Sequence, residues 1–245
     1  MINIIIPMAG LSSLAKELEY PYPSPLVEIQ GLPLIQYVIS NLCEISKDIT
    51  FTIILRDEDC KRFHLDSTVK LLTINKVNVV RLQRDTAGAL CSILMAIEHF
   101  DNDHKLIIAN SDQIFEKGFL FSLIKTIGAG SADAVCPVFD SVHPRWSYLR
   151  ISDDRVVEAV EKNPISRNAV AGLYYFRSGR QFANLAKRVI LNGRETEGKY
   201  FTSAVLNEYI LDGLNVLPIQ IRNECYTSLF TAQRVHDFER SIRKK

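Results

Sequence analysis

The sequence predicts an α/β protein in which helices flank a mixed, mostly parallel β-sheet. Short β-branched runs alternate with longer amphipathic segments through the first 130 residues, which is typical of strands joined by crossover helices. The 245 residues are 47% hydrophobic and 23% charged, as in globular chains with a sizeable core. Beyond residue 130 a hairpin pattern replaces the alternation. We therefore expect a second half that completes the same sheet.

In the first half, apolar and β-branched runs predict strands at 2–7, 50–55, 77–82 and 105–109. The apolar run at 50–55 suggests a buried parallel position. Pro33 precedes apolar residues at helical spacing from 34 to 42, and proline is well suited to a helix start. A short helix is expected at 57–64 and another at 86–98, with Thr86 as its cap.

In the second half, the patterns predict a strand at 134–139 and a hairpin of strands 148–152 and 156–160 around the turn Asp153-Asp154. A strand at 169–176, helices at 179–191 and 203–212, and a late strand at 215–221 follow. No linker or internal repeat interrupts the sequence. We therefore predict one Rossmann-like domain over 1–245.

Charge and cysteine content argue against several classes of protein. The net charge is +1 and the 29 basic residues are spread along the chain, which argues against a nucleic-acid or membrane partner. The five cysteines include no C-x-x-C pair, so reduced thiols are expected rather than zinc or redox chemistry. The sequence has no signal-peptide pattern and no run of 18 apolar residues, which predicts a cytoplasmic protein. Periodicity leaves open whether the sheet or a second copy in a homo-oligomer covers the apolar helix faces.

The first strand runs into a loop of small residues, as strands do where backbone N–H groups approach a phosphate. The sequence at 7–26 is PMAGLSSLAKELEYPYPSPL. It contains no Arg, and its single Lys, Lys16, lies beyond the turn. The cations that usually share the charge of a polyphosphate are therefore largely missing. The candidate phosphate-loop residues are Ala9, Gly10, Leu11, Ser12 and Ser13.

Asp112 follows the strand predicted at 105–109, within the stretch Asn110-Ser-Asp-Gln113. Ligands of open α/β sheets bind outside the carboxyl ends of the strands. An Asp in this position is placed to bind Mg²⁺, which takes one or two carboxylates and leaves its other positions to phosphate oxygens and water. A turn or helix N-cap Asp is the alternative interpretation.

Three further segments have both a binding and a structural interpretation. The stretch QRDTAG at 83–88 places Gln83 and Gly88 where they could face a base or phosphate, or could form a tightly packed helix start. Lys162 could reach a substrate phosphate while Glu161 accepts hydrogen bonds, or the two could form an exposed ion pair of little energetic value. Trp146 could line a ligand pocket or close a corner of the core.

Taken in order, eight short motifs resemble those of the sugar-1-phosphate nucleotidyltransferases. They are IIIPMAG (4–10), PSPL (23–26), GLPLIQY (31–37), GAL (88–90), IANSDQ (108–113), WSY (146–148), VEKNP (160–164) and AGLYYF (171–176). The resemblance is closest to short bacterial forms found with capsule and surface-polysaccharide genes. It implies the fold of the nucleotide-diphospho-sugar transferases. It also implies a reaction between an NTP and a phosphorylated acceptor that releases pyrophosphate.

The resemblance also assigns roles to individual residues. It implies a nucleotide-binding half at 1–130 and an acceptor-binding half at 131–240. The loop from Ala9 to Ser13 would follow the NTP phosphates, Gln83 and Gly88 would lie near the base, and Asp112 would hold Mg²⁺. Lys162 would bind the acceptor phosphate. The remaining acceptor-binding positions would be Asn110, Trp146, Glu161 and Gly172.

The departures from the family pattern lie in the phosphate-binding segments. The second loop Gly is Ser12, the loop Arg is Leu14, and the Lys of P-K-P-L is Ser24. The stretch 226–231 has no second metal carboxylate. Losing one preorganised charge commonly lowers the rate on the order of 10²–10³. We therefore expect Lys16 or Arg84 to substitute for the missing cations. Lys16 is counted with Asp112 and Lys162 as a catalytic residue.

Three functions remain open from the sequence. The leading hypothesis is a Mg²⁺-dependent nucleotidyltransferase that makes a precursor of surface polysaccharide. The second is a catalytically inactive homologue that binds a nucleotide sugar or regulates a partner. A glycosyltransferase of related fold ranks last, because Asn110-Ser-Asp112 offers one carboxylate where that class usually has D-x-D.

Overall fold

The structure, a computed structural model, describes residues 1–10, 12–128 and 130–243. The strands are β1 (Ile2–Pro7), β2 (Glu28–Ile29), β3 (Leu32–Pro33), β4 (Ile49–Arg56), β5 (Lys76–Leu82), β6 (Lys105–Ala109), β7 (Gln113–Phe115), β8 (Ala134–Asp140), β9 (Ser147–Ser152), β10 (Arg155–Glu161), β11 (Asn168–Val170), β12 (Leu173–Phe176), β13 (Val216–Gln220) and β14 (Tyr226–Ser228). The helices are α1 (Leu14–Glu17), α2 (Leu34–Leu42), α3 (Asp57–Phe63), α4 (Leu65–Leu72), α5 (Ala89–Leu94), α6 (Phe119–Gly128), α7 (Gly179–Leu191), α8 (Ser203–Leu211) and α9 (Ala232–Ile242).

One large mixed sheet runs through both halves of the chain. Its strand order is β10-β9-β11-β8-β12-β6-β1-β4-β5, and β13 pairs with β8. The strands of the first half, β6, β1, β4 and β5, are parallel, whereas β12 enters between β6 and β8 antiparallel to both. The predicted α/β fold with a mixed, mostly parallel sheet is therefore confirmed.

The two faces of this sheet are covered by different helices. Alternate residues of β1 point to opposite faces, so Ile4 and Ile6 belong to one buried cluster and Ile5 to another. The first cluster includes apolar residues of α2, α4, α6 and α9, and the second includes those of α5, α7 and α8. The carboxyl ends of the parallel strands lie along one edge of this three-layer packing.

Several predicted elements are confirmed, and others are corrected. The structure gives β1, β6 and α7 with the predicted bounds. The helix predicted at 86–98 is shorter in the structure: α5 begins only after Gly88, whose φ of +114° is not helical, and it ends at Leu94. Thr86, the predicted cap, does not cap this helix through its side chain. The strand predicted at 169–176 is two strands, because Gly172 adopts a φ of +63° between them.

Some elements had no counterpart in the prediction. These are α1, α4, α6, α9, the pair of short strands β2 and β3, and the short sheet in which β14 pairs with β7. None of the helices in the described ranges combines the length and the hydrophobicity that a membrane-spanning segment requires.

Candidate functional site

Two adjoining cavities open at the carboxyl edge of the sheet. The first has a volume of about 490 Å³, and its lining includes Gly10, Ser12, Arg56, Arg62, Asn110 and Asp112. The second has a volume of about 500 Å³, and its lining includes Ala9, Gly10, Arg56, Gln83, Arg84, Gly88 and Lys199. Because Gly10 and Arg56 line both cavities, one extended polar ligand can contact both.

The loop after β1 reaches these cavities through its small residues. Gly10 and Ser12 line the first cavity, and Ala9 and Gly10 line the second. Ser13 is exposed at the start of α1, where its Oγ donates a hydrogen bond to Glu17 Oε1 at 2.6 Å. Leu11 lies outside the described residues.

The two positions where the family has loop cations perform structural roles here. Leu14 is fully buried in the hydrophobic core. Ser24 Oγ accepts a hydrogen bond from the backbone N–H of Ala15 at 3.2 Å. Lys16 is exposed on α1. The described residues that line the two cavities do not include it.

Other cations do line the cavities, and sequence reasoning identified only Arg84 of these. Arg56 is the last residue of β4, the parallel neighbour of β1. Its Nη2 lies 3.0 Å from Glu58 Oε2, and Arg62 Nη1 lies 3.2 Å from Glu58 Oε1. One carboxylate therefore holds two guanidinium groups at the first cavity. The available signal was that Arg56 directly follows the strand predicted at 50–55, which was expected to be buried in the parallel sheet.

Asp112 lies at the carboxyl end of β6, half-buried in the wall of the first cavity. Burial raises the pKa of its carboxyl group, and the positive charge of Arg145 opposes this effect. The backbone carbonyl of Asp112 accepts a hydrogen bond from Leu229 N at 2.7 Å, and Gln113 pairs with Ser228 between β7 and β14. The late stretch 226–231 therefore lies beside Asp112, and it contains no carboxylate.

The donor set fits a Mg²⁺ ion that arrives with substrate phosphates rather than an ion held by protein alone. No group of three or more His, Cys, Asp or Glu side chains in the described part of the chain is arranged to hold a metal. Mg²⁺ is commonly bound through one or two carboxylates, with phosphate oxygens and water completing its shell. Asp112 would supply the carboxylate, and Asn110 lines the same cavity.

The second cavity brings together the other nucleotide-side predictions. Gln83, Arg84 and Gly88 all line it. Gly88 has a φ of +114°, and a Cβ at this position would collide with the backbone carbonyl of Tyr200. Tyr200 N donates a hydrogen bond to Ala87 O at 2.8 Å. This close backbone approach brings the segment containing Lys199 to the cavity wall.

The predicted acceptor residues lie at the ends of strands: Glu161 is the last residue of β10, Trp146 precedes β9 and Gly172 precedes β12. Lys162 follows β10, and Asn110 follows β6. Glu161 Oε2 accepts hydrogen bonds from Ser147 Oγ at 2.5 Å and Ser203 Oγ at 2.7 Å. Lys162 Nζ lies 2.6 Å from Glu197 Oε2 in an exposed ion pair. It also lies 5.3 Å from the ring centroid of Phe201, which lines the second cavity. Lys162 is therefore at the border of that cavity.

Gly172 and Trp146 have packing roles in the same half. A Cβ on Gly172 would collide with the side-chain amide of Gln113, and Gly172 O accepts a hydrogen bond from Asn110 N at 2.9 Å. Gly172 thus joins the end of β6 to β12. Trp146 packs edge-on against Phe139 with ring centroids 5.3 Å apart, and it lines a third cavity of about 220 Å³.

The fold defines an α/β protein with polar cavities at the carboxyl edge of its sheet. The chain belongs to the nucleotidyl transferase family, whose model matches residues 16–218. The resemblance to sugar-phosphate nucleotidyltransferases seen in the sequence motifs is thereby confirmed. A search of curated proteins found no match.

Solved structures share the fold over almost the whole chain at low sequence identity. A nucleoside-diphosphate-sugar pyrophosphorylase from Vibrio cholerae RC9 is 23% identical with a TM-score of 0.83, covering 97% of this chain and 99% of its own. An inositol-1-phosphate CTP transferase from T. maritima is 14% identical with a TM-score of 0.74, covering 99% and 96%. A UDP-glucose pyrophosphorylase complexed with UDP-glucose is 15% identical with a TM-score of 0.74, covering 100% and 99%.

Proposed function

We propose that this protein is a Mg²⁺-dependent nucleotidyltransferase. It transfers the NMP group of an NTP to the phosphate of a small acceptor, such as a sugar 1-phosphate, and releases pyrophosphate. The observation that carries the proposal is the pair of adjoining cavities, which share Gly10 and Arg56 while Asp112 lies in the wall of one. Membership of the nucleotidyl transferase family supports it.

The reaction needs positioning and charge neutralisation rather than a covalent enzyme intermediate. An oxygen of the acceptor phosphate attacks the α-phosphorus in line, the bond from the α-phosphorus to the bridging oxygen of the β-phosphate breaks, and pyrophosphate leaves with the electron pair. The backbone of Ala9, Gly10 and Ser12 lies along the triphosphate, and Lys162 binds the acceptor phosphate. A Mg²⁺ ion at Asp112 and Asn110 would neutralise phosphate charge as a Lewis acid.

The cations missing from the loop are replaced from neighbouring elements. Arg56 and Arg62 are held by Glu58 in the first cavity, and Arg84 and Lys199 line the second. A guanidinium group binds phosphate oxygens through two parallel hydrogen bonds. A triphosphate in the first cavity would displace the Glu58 carboxylate from Arg56. Gln83 and Gly88 are left to contact the base.

The acceptor and the biological setting follow from the motif resemblance. The stretch IANSDQ at 108–113 resembles short forms found with capsule and surface-polysaccharide genes. We therefore propose that the product is an activated precursor for surface polysaccharide, made in the cytoplasm.

The test is pyrophosphate release by the purified protein with Mg²⁺, each common NTP and a panel of phosphorylated sugars and polyols. We expect release with at least one pair of substrates, and a loss on the order of 10²–10³ in Asp112→Ala and Lys162→Ala. Arg155→Ala, at the exposed first residue of β10, is the matched control and should keep the wild-type rate.

Two outcomes would contradict different parts of this proposal. If a folded protein that binds a nucleotide sugar released no pyrophosphate with any pair of substrates, the non-catalytic homologue would be favoured. The burial of Leu14 and the hydrogen bond from Ala15 N to Ser24 Oγ also favour that alternative. Release that persists unchanged in Asp112→Ala would overturn the assignment of the metal to this residue.

A further inference from the structure

The third cavity lies at the same edge of the sheet, beside the acceptor-binding half. Its lining includes Arg145, Trp146, Tyr226, Ser228, Phe230 and Arg234. Ser228 and Phe230 flank Leu229, whose N–H donates a hydrogen bond to the carbonyl of Asp112. The wall of the third cavity is therefore joined directly to the wall of the first.

Two arginines line this cavity, and in the described part of the chain neither forms an ion pair. Over the described residues, neither Arg145 nor Arg234 has a carboxylate oxygen within 4.0 Å or a side-chain hydrogen bond to an acceptor. Asp140 also lines the cavity, but its Oδ1 lies 2.7 Å from Arg167 Nη2. Guanidinium groups carry five N–H donors in a fixed fork, so Arg145 and Arg234 together offer this cavity a set of donors that suits an anion.

Arg145 is also partly buried among aromatic rings. Its guanidinium lies 3.0 Å from the ring centroid of Phe230 and 4.9 Å from that of Trp146. Burial lowers the pKa of this guanidinium, while Asp112 acts in the opposite direction. Aromatic faces favour the cation, yet a buried charge without a hydrogen-bonded counter-ion is unfavourable. A bound anion would supply that counter-ion.

We propose that the third cavity binds a second acidic group of the acceptor, a carboxylate or a phosphate, through Arg145 and Arg234. This inference rests on the proposed function. The cavity volume of about 220 Å³ is below the 300–1,000 Å³ range of pockets that enclose whole small molecules. It therefore suits one group of a ligand whose remainder lies in the neighbouring site. Trp146 lines this cavity, and its backbone carbonyl accepts a hydrogen bond from Lys162 N at 2.9 Å.

The chain offers a direct probe of occupancy, because Trp146 is its single tryptophan. Trp146 fluorescence would be titrated with three compounds that share one ring: glucose 1-phosphate, glucose 1,6-bisphosphate and glucuronic acid 1-phosphate. We expect at least one of the two compounds with a second acidic group to bind roughly tenfold tighter than glucose 1-phosphate, as expected for one added charge-assisted hydrogen-bonded contact.

Matched variants identify the groups responsible. In Arg145→Gln and in Arg234→Gln, we expect the advantage of the second acidic group to fall below about twofold, while the affinity for glucose 1-phosphate changes little. Arg234→Lys should keep part of the advantage, because the charge stays but the two-point contact is lost. Arg155→Gln removes one exposed positive charge elsewhere and should behave as the wild type. Thermal unfolding of each variant, with and without ligand, shows that the fold is intact.

The outcomes separate this inference from the proposed function. Equal affinity for all three compounds in the wild type, or an advantage that survives in both glutamine variants, overturns it. A saturable signal from inorganic phosphate alone, lost in Arg234→Gln and without any advantage for the second acidic group, assigns the cavity to a free anion and overturns the acceptor assignment. Arginine-dependent selectivity in a protein that releases no pyrophosphate would support the cavity assignment and contradict catalysis.

Discussion

At the scale of single residues, Asp112 gives a prediction in which stability and activity change in opposite directions. Burial raises the pKa of its carboxyl group in the folded protein, so the folded state holds this proton at a pH where the unfolded chain has released it. The corresponding contribution to stability is present at low pH and is lost as the pH rises through the raised pKa. Asp112→Asn should therefore unfold at a higher temperature than the wild type at pH 7, while losing pyrophosphate release.

The measurement is thermal unfolding of both proteins from pH 3 to pH 8. The difference in unfolding temperature should shrink as the pH falls and the wild-type carboxyl group becomes protonated. Asp154→Asn, at an exposed hairpin turn, should follow the wild type throughout. A lower unfolding temperature for Asp112→Asn at pH 7 would show that Arg145 dominates over burial.

At the scale of elements, the connection between β11 and β12 depends on Gly172. Its φ of +63° suits glycine, and a Cβ would collide with the Gln113 side chain. We expect Gly172→Ala to lower the free energy of unfolding by about 1–3 kcal/mol, measured by urea denaturation. Since the colliding atoms belong to a side chain, Gly172→Ala with Gln113→Ala should recover part of this loss. No recovery would mean that the backbone conformation alone accounts for the effect.

The same connection shows which elements the sequence could predict. Runs such as β1 and β6 have their hydrophobic pattern set by burial on both faces, so their bounds follow from composition. The pattern at 169–176 is equally apolar, but the turn at Gly172 is imposed by Asn110 and Gln113 from a distant part of the chain. Local periodicity carries no information about such contacts.

The residues of the candidate site also fall into two groups, those that the sequence could identify and those that it could not. Gly10, Gln83, Gly88 and Asp112 each follow a strand, and the rule that ligands bind at the carboxyl ends of strands brought them into consideration. Arg56 also ends a strand, but only the pairing of β4 with β1 places it beside Gly10. Sequence reasoning therefore located the loop without cations and predicted the neighbouring strand, but it missed Arg56 at the end of that strand.

At the scale of the whole molecule, charge is concentrated locally although the chain is nearly neutral. The net charge is +1, so attraction of a polyphosphate depends on where the cations lie rather than on their total. In the part of the chain that the structure describes, Arg56, Arg62, Arg84 and Lys199 line the two adjoining cavities. Most of these side chains are solvent-exposed, and exposed charges are strongly screened by salt.

This distribution predicts a salt dependence that can be measured whether or not the protein is an active enzyme. The Kd for the preferred NTP, measured by calorimetry, should rise severalfold between about 0.05 and 0.5 M KCl, because the Debye length falls from above 10 Å to below 8 Å over that range. Arg56→Gln should bind the NTP more weakly at low salt and show a shallower dependence on salt, since Arg56 lines both cavities. Arg155→Gln changes the net charge equally and should keep the wild-type slope. An identical slope in Arg56→Gln would mean that the triphosphate does not contact Arg56, so the loss of the loop cations would be uncompensated at this strand.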